Sequence, residues 1–387
     1  FGDVWHGLKR NRHNLLQVLS RRNRVLFVER RPHLRATLRA WRAGRLTLTE
    51  VRRPAIEPIA ENLAVFRYPA WAPVSGRFPL GALARLVQHQ ALQAALRRLG
   101  VARPIVWFYH PEWSDLVDEI PSAVLRLYHC VDEYTSYQGL GPDDQGAIEA
   151  RERRLLAGVD AVLVVSPALQ AAKSRHHPRT FLVPNGVNVQ AYAEALADPR
   201  LPPDLERIRP PRIGYSGLIG DKLALETLLG LARARPDWSF VFLGSVNAVE
   251  RLPAWQALLA LPNAHYLGAV PGERVPHFLK GFEVGLMPYR QDRHSDTISP
   301  LKLYDYLAAG LPIAAVDIPA VREFRDWVAI AARPDDLPAA VEQALADGSD
   351  ARRQGRRTVA AQHSWEGRVE QISEIIAGLL AGSGPGR

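Results

Sequence analysis

Residues 299–317 read SPLKLYDYLAAGLPIAAVD and place a polar turn, a helix and a strand in one unbroken run. Ser299 is a natural N-cap and Pro300 suits the first helical position, so the run predicts a helix whose first N–H groups face outward, ready for an anion. Lys302 falls in its first turn and Asp305 three positions on, on nearly the same face. Gly310 and Pro312 stop the helix, and the four apolar residues from Ile313 to Val316 suit a buried strand. A helix handing directly to such a strand is the repeating unit of a parallel, doubly wound sheet.

The same alternation extends upstream. Apolar runs at 212–217, 240–244, 265–268 and 284–287 read as strands, and 222–234 as a helix. Equivalent runs fall at 24–29, 105–109, 124–128, 161–165 and 180–183, with helical stretches at 81–99 and 146–158. Between these two sets lies DPRLPPDLERIRPP (198–211), whose proline and charge suit an exposed linker. The reading is an α/β chain of two Rossmann-like domains facing a cleft, divided as 1–197, a linker 198–211, 212–358, and a closing segment 359–387. Because the chain enters a helix directly from FGDVWHGLKR, the first strand of the first domain is expected upstream of Phe1.

A length of 387 residues with 47% hydrophobic content is enough for two cores. No apolar run approaches the roughly 18 residues that a membrane-spanning helix needs. Cys130 is the only cysteine, which excludes an internal disulfide or a cysteine-based zinc cluster and fits a reducing cytoplasm. The net charge of +9 is unevenly spread: residues 1–100 hold 19 Lys+Arg against 5 Asp+Glu, a balance of +14, so the remainder sums to −5. Arg-rich runs interleaved with Trp41 and Trp71 suit anionic headgroups or glycans, and peripheral membrane association through this region is expected rather than nucleic-acid binding. No His/Asp/Glu cluster has metal-ligand spacing and there is no Asp-x-Asp element, so neither metal nor resident cofactor is expected.

Two further segments carry chemistry. GYSG (214–217), with Lys222 after it, joins a flexible backbone to a cation where a strand meets a helix, the combination a diphosphate needs. YHCVDEY (128–134) ends a strand with His129, Asp132 and Glu133 close together, where an α/β sheet exposes functional groups; Asp132 there can cap the next segment or act as a base. His110 ends the neighbouring strand.

KLYDYLAAGLP (302–312) resembles the KLYEYLAAGKP segment of sugar-nucleotide-dependent glycosyltransferases with the GT-B architecture, close to glycosyltransferase family 4. The resemblance covers most of residues 1–380 and is strongest at 284–323 and 124–190. It implies that Asp305 meets the nucleotide ribose, that Ser299, Leu301 and Lys302 hold the diphosphate, and that Gly217, Lys222 and Tyr289 complete the donor site. YHCVDEY resembles the YDCVDD segment of a bacterial group near the teichuronic-acid glycosyltransferases and, more distantly, the xanthan glucuronosyltransferase. That puts Asp132 in the place of an acceptor-activating base, with His129 beside it. His110, at the neighbouring strand end, can line the same cleft. Gly2, Asp3 and His13, in the loop expected after the missing first strand, fall on the acceptor side, where His13 either touches the acceptor or caps its helix.

The family's Glu-x7-Glu pair is half present, since Thr297 occupies the upstream position; the Arg that follows the glycine turn is Leu218, and His129 stands in place of Asp. The implied activity is sugar transfer from a nucleoside-diphosphate donor, UDP first, to a lipid-linked or polysaccharide acceptor, hexosyl or glucuronosyl in type. The alternatives are a nucleotide-sugar epimerase of the same fold and a non-catalytic anion-binding protein.

Overall fold

The computed structural model describes residues 5–6, 11–32, 34–42, 55–73, 80–136, 141–247 and 249–382. Thirteen strands form three sheets among them. Six belong to the carboxy-terminal half: β8 (Arg212–Ser216), β9 (Ser239–Leu243), β10 (Ala264–Tyr266), β11 (Val284–Met287), β12 (Ile313–Val316) and β13 (Val328–Ala331). All neighbours pair in parallel, in the order β10-β9-β8-β11-β12-β13. That order reverses between β8 and β11, which is where a doubly wound sheet opens a crevice at its strand carboxyl ends. β8, β9, β11 and β12 are buried along their whole length, as a sheet covered by helices on both faces requires.

The amino-terminal half holds two smaller sheets. One runs β1 (Val25–Val28), β3 (Leu63–Phe66), β2 (Ile56–Ala60), with β1 and β3 parallel and β2 antiparallel; the other is the parallel series β4 (Ile105–Phe108), β5 (Leu125–Cys130), β6 (Ala161–Val164), β7 (Thr180–Leu182). Neither the β2–β3 pair nor β13 was anticipated; for β2 the reason is that Ile56–Ala60 carries Glu57 and Pro58, which break the apolar run that marks a buried strand.

The junction between halves differs from the division read off the sequence. Helix Val189–Ala197 packs on the second half, not the first: Val187 and Tyr192 lie in its core, and Lys280 Nζ donates to the carbonyls of Ala195 (2.9 Å) and Asp198. Residues 198–211 are no exposed linker either. Leu205 and Ile208 are buried in that same core, around a short helix, Pro203–Glu206. Charge and proline mask two anchoring apolar side chains. At the far end, helix Trp365–Gly382 lays Trp365 and Ile372 against Leu15, Leu16 and Phe27 of the first half, and Gln371 Nε2 donates to Leu182 O at 3.0 Å.

Candidate active site

The crevice between β8 and β11 is built from glycine and tyrosine. Gly217 leaves β8 at φ 129°, in the region open to glycine, and Gly244 leaves β9 at φ 143°. A Cβ at Gly244 would stand 2.0 Å from Gly217 O, so the two turns approach each other as only bare backbone allows. Tyr306 braces the crevice floor: its hydroxyl accepts from Ser216 N at 2.9 Å and donates to Leu286 O at 3.3 Å, tying β8 to β11.

Helix Leu301–Ala308 begins at Leu301, with Pro300 in the N-cap position and no side-chain cap. Ser299 is therefore not the cap expected from the sequence. Pro300 keeps an extended ψ of 120°, and its carbonyl accepts from Leu303 N. Ser299 serves the domain junction instead, where its carbonyl accepts from Asn185 Nδ2 at 2.7 Å. Leu301 packs beside the Trp365 cluster.

Lys302 turns inward. Its Nζ bonds the hydroxyls of Tyr289 (2.8 Å) and Tyr215 (3.1 Å) and lies under the turn, 3.1 Å from where a Gly217 Cβ would stand. Burial, with the Lys222 charge behind it, holds this amine well below its ordinary pKa, while Asp305 pulls weakly the other way. Lys222 sits 5.7 Å over the Tyr289 ring. Asp305 is half-buried and bonded to Tyr192; burial raises its carboxyl from 3.8 to about 6 against the opposing effects of Tyr192 and Lys302. Gly217, Lys222, Tyr289, Lys302 and Asp305 are thus brought together, whereas Ser299 and Leu301 face the first half.

On the first half, His110 and the loop after β5 meet. The His110 ring contacts Tyr134 edge-on at 4.3 Å, and Tyr134 OH donates to Tyr109 O at 2.6 Å. His110 Nδ1 also accepts from Glu112 N, capping the turn that follows. Asp132 is half-buried in the same loop. Below it, buried Lys173 Nζ bonds Glu133 Oε2 (3.0 Å) and Glu152 Oε2 (2.9 Å), and Tyr128 OH donates to Glu152 Oε1.

His129 does not stand open at the strand end as expected. It is 3% exposed, stacked with Tyr109 (5.3 Å) and Trp107 (5.9 Å), and burial lowers its pKa to about 3, so the ring is neutral. Strand alternation explains this: His129 and Trp107 face one side of the sheet, and His110 lies beyond its end. His13 is buried as well, between Trp5 (5.0 Å) and Phe27 (5.8 Å). Gly2 and Asp3 lie outside the described residues.

The two halves touch at loop 290–300. Ser136 Oγ meets His294 Nδ1 at 3.0 Å, Ser166 Oγ donates to Thr297 O at 2.7 Å, and Asn185 reaches Ser299 O. No motif pointed to Ser136, Ser166, His294 or Tyr192, since each acts through a long-range contact. Tyr215 was within a quoted motif but overlooked beside its glycines.

Residues 222–374 match the family model described as glycosyl transferase-like. The chain is 26% identical over 287 residues to a Bacillus subtilis (strain 168) protein assigned as the teichuronic acid biosynthesis glycosyltransferase TuaH, covering 70% of this chain and 71% of that one. Among solved structures it is similar to the sucrose-phosphate synthase of Thermosynechococcus elongatus, with a TM-score of 0.68, 16% identity, and 96% and 92% of the two chains covered. It is also similar to a trehalose-6-phosphate structure from E. coli bound with UDP-2-fluoro glucose, with a TM-score of 0.64, 12% identity and 98% of each chain covered.

Proposed function

Taking the chain as a GT-B glycosyltransferase near family 4, we propose that it holds a UDP-sugar at the β8–β11 crevice and passes the sugar to an acceptor hydroxyl that Asp132 deprotonates. The observation that carries this reading is the convergence of the Gly217 turn, Lys302, Lys222 and Asp305 at the sheet's switch point. A diphosphate fits a bare backbone turn flanked by two amines, and a ribose hydroxyl fits a half-buried carboxyl.

In the transfer, the acceptor oxygen bonds the anomeric carbon, its proton goes to Asp132, and the bond to the β-phosphate oxygen breaks with its electron pair leaving on the diphosphate. Lys222 and Lys302 stabilise that charge, so the reading requires no metal and expects activity to survive a chelator. Thr297 offers a hydroxyl, already donated to His294 O at 2.9 Å, where a retaining relative would have a carboxylate. That favours inversion. The acceptor class, a lipid-linked or polysaccharide chain of the cell envelope, is taken from the similarity to the teichuronic acid protein.

The test is a thermal-shift screen of nucleoside diphosphates and their sugars on wild type and Asp305→Ala, followed by nucleotide release with and without acceptor. UDP should raise the wild-type midpoint and lose most of that effect in the variant. Asp132→Asn should keep UDP binding and lose about 10²–10⁴ in turnover. If no nucleotide stabilises the wild type, the donor site has been misplaced.

A further inference from the structure

We infer that a cavity of the amino-terminal half, between helix Pro142–Gly158 and the short helical turn Pro111–Leu116, is a glycan subsite that grips carboxylate or phosphate groups along the body of the acceptor. The inference rests on the reading of the crevice as a transfer site and adds to it what kind of chain the acceptor is. The cavity holds about 470 Å³ and is lined by Arg31, Glu112, Trp113, Asp115, Arg151 and Arg154 among others. That volume suits a sugar unit with its charged group rather than a single ion.

The charges around it are not alike. Arg31 uses its fork internally: Nη1 bonds Asp115 and Nη2 bonds Glu119, each at 2.9 Å, and only the buried Nε is left without an acceptor. Glu112 is taken by Arg30 at 2.8 Å. Both carboxylates of the lining are therefore already paired. Arg151 and Arg154 are exposed on their helix and bond no carboxylate among the described residues. The helix offers them none, because the positions three and four away are Ala147, Ile148 and Leu155 for Arg151, and Ala150, Ala157 and Gly158 for Arg154, besides each other. Two like charges three positions apart repel, and no neighbour on the helix offsets this.

A second arginine-lined hollow shows the contrast. At the amino ends of β12 and β13, a cavity of about 300 Å³ lined by Arg325, Arg352 and Arg356 carries its own counter-ion: Asp347 accepts from Arg352 Nε at 2.7 Å and from Arg356 Nη2. That cluster is balanced from within, as scaffold is. The pair at Arg151 and Arg154 is not, and guanidinium forks match carboxylate and phosphate in a bidentate geometry.

Position identifies the ligand as acceptor. The cavity adjoins the proposed base, since Glu112 N donates to His110 Nδ1 at 3.1 Å and the His110 ring lies against Tyr134, two positions beyond Asp132. The donor diphosphate is met by Lys222 and Lys302 in the other half, so an anion held here belongs to the other substrate. A glycan whose reacting hydroxyl meets Asp132 runs past His110 toward this cavity, where its charged groups find the two arginines.

The test is isothermal titration calorimetry of the full chain, with UDP present, using three saccharides: trigalacturonate for carboxylates, glucose 6-phosphate for phosphate, and neutral maltotriose. Wild type should bind at least one of the two anionic probes and not maltotriose, and the probe that binds names the group. Arg151→Gln/Arg154→Gln should weaken that binding roughly tenfold to hundredfold at unchanged thermal midpoint, and Arg151→Lys/Arg154→Lys should recover part of it. The inference is overturned if wild type binds neither anionic probe, if it binds maltotriose equally well, or if the glutamine variant binds like wild type. The UDP-induced midpoint shift should be the same in all three proteins. Its absence from wild type would overturn the donor-site reading, whereas its presence without saccharide binding would overturn this subsite alone.

Discussion

Among the described residues each half of the molecule buries one lysine, Lys173 in the first and Lys302 in the second, and their surroundings are opposite. Lys173, under the loop that carries Asp132, is held by two carboxylates, Glu133 and Glu152. Burial alone would lower its pKa, but those acids and Cys130 reverse the effect and raise it, while Glu133 is held below its ordinary value against its own burial. Lys302, in the crevice of the second half, has only tyrosine hydroxyls within bonding distance and a second lysine nearby; burial drives its pKa far down. A buried amine whose charge is already balanced is part of the scaffold. One that bonds only tyrosine hydroxyls beneath a bare glycine turn, with Asp305 pulling weakly against its burial, is prepared for an anion that arrives from outside.

Replacing each lysine by methionine should separate these two roles. Lys173→Met leaves two buried carboxylates facing each other and should cost about 3–5 kcal/mol in a denaturant titration. UDP affinity measured below the transition should be unchanged, and adding Glu152→Gln should restore part of the loss. An unaltered denaturation midpoint for Lys173→Met would place the ion pairs in solvent. Lys302→Met should show the reverse pattern. Stability should be held or gained, because a poorly solvated amine is gone, while UDP release in turnover should fall about 10²–10³-fold. An incoming diphosphate favours the charged amine that burial disfavours, so wild-type UDP binding should also take up protons. Calorimetry in buffers of different ionisation enthalpy reads this directly, and the uptake should vanish in Lys302→Met.

Asp305 sharpens the contrast at a smaller scale. Its folded pKa of about 6 lies above the ordinary 3.8, so the folded state binds its proton more tightly than the unfolded chain does. That contribution is complete below 3.8 and is lost as pH rises through about 6; at neutral pH the ionised carboxyl opposes folding by about 1–3 kcal/mol. Asp305→Asn should therefore be more stable than wild type at pH 8 and level with it near pH 4, yet bind UDP more weakly. Equal pH–stability curves for the two proteins would mean that Asp305 is solvated and contributes no strain to the site.

The sequence made the second half more legible than the first, for a physical reason. Fully buried parallel strands and their glycine turns are local signals, and β8, β11, β12 and the Leu301–Ala308 helix all fall within the runs read from residues 212–317. The helix start shifted by one residue, since proline at a helix entrance fits either side of the boundary. In the first half, strands β2 and β3 pair across Glu57, Pro58 and a bulge, which no period-two pattern reveals. His129 and His13 looked reachable because residue type and strand ends are visible in sequence. Which face a histidine takes depends on neighbours as distant as Trp5 and Trp107. The ion pairs of Lys173 and the Asp305–Tyr192 bond span 21 to 113 positions, beyond the reach of any local motif.

The smallest effect concerns how the two halves meet. Loop 290–300 descends from β11 to the start of the Leu301–Ala308 helix, and the first half grips it at Ser136, Ser166 and Asn185. Two of these grips take a backbone carbonyl, which fixes the loop's path without reading its side chains. The third joins Ser136, four positions from Asp132, to the His294 ring, and so ties the proposed base to the wall of the donor crevice. A single hydrogen bond of this kind contributes about 0.5–1.5 kcal/mol. Ser136→Ala should therefore leave UDP affinity and the thermal midpoint nearly unchanged and lower turnover only about two- to tenfold, with His294→Ala giving the same loss and the double variant no more. Losses that multiply in the double variant would show that Ser136 and His294 act separately, leaving the two carbonyl grips as the mechanical link between Asp132 and the crevice.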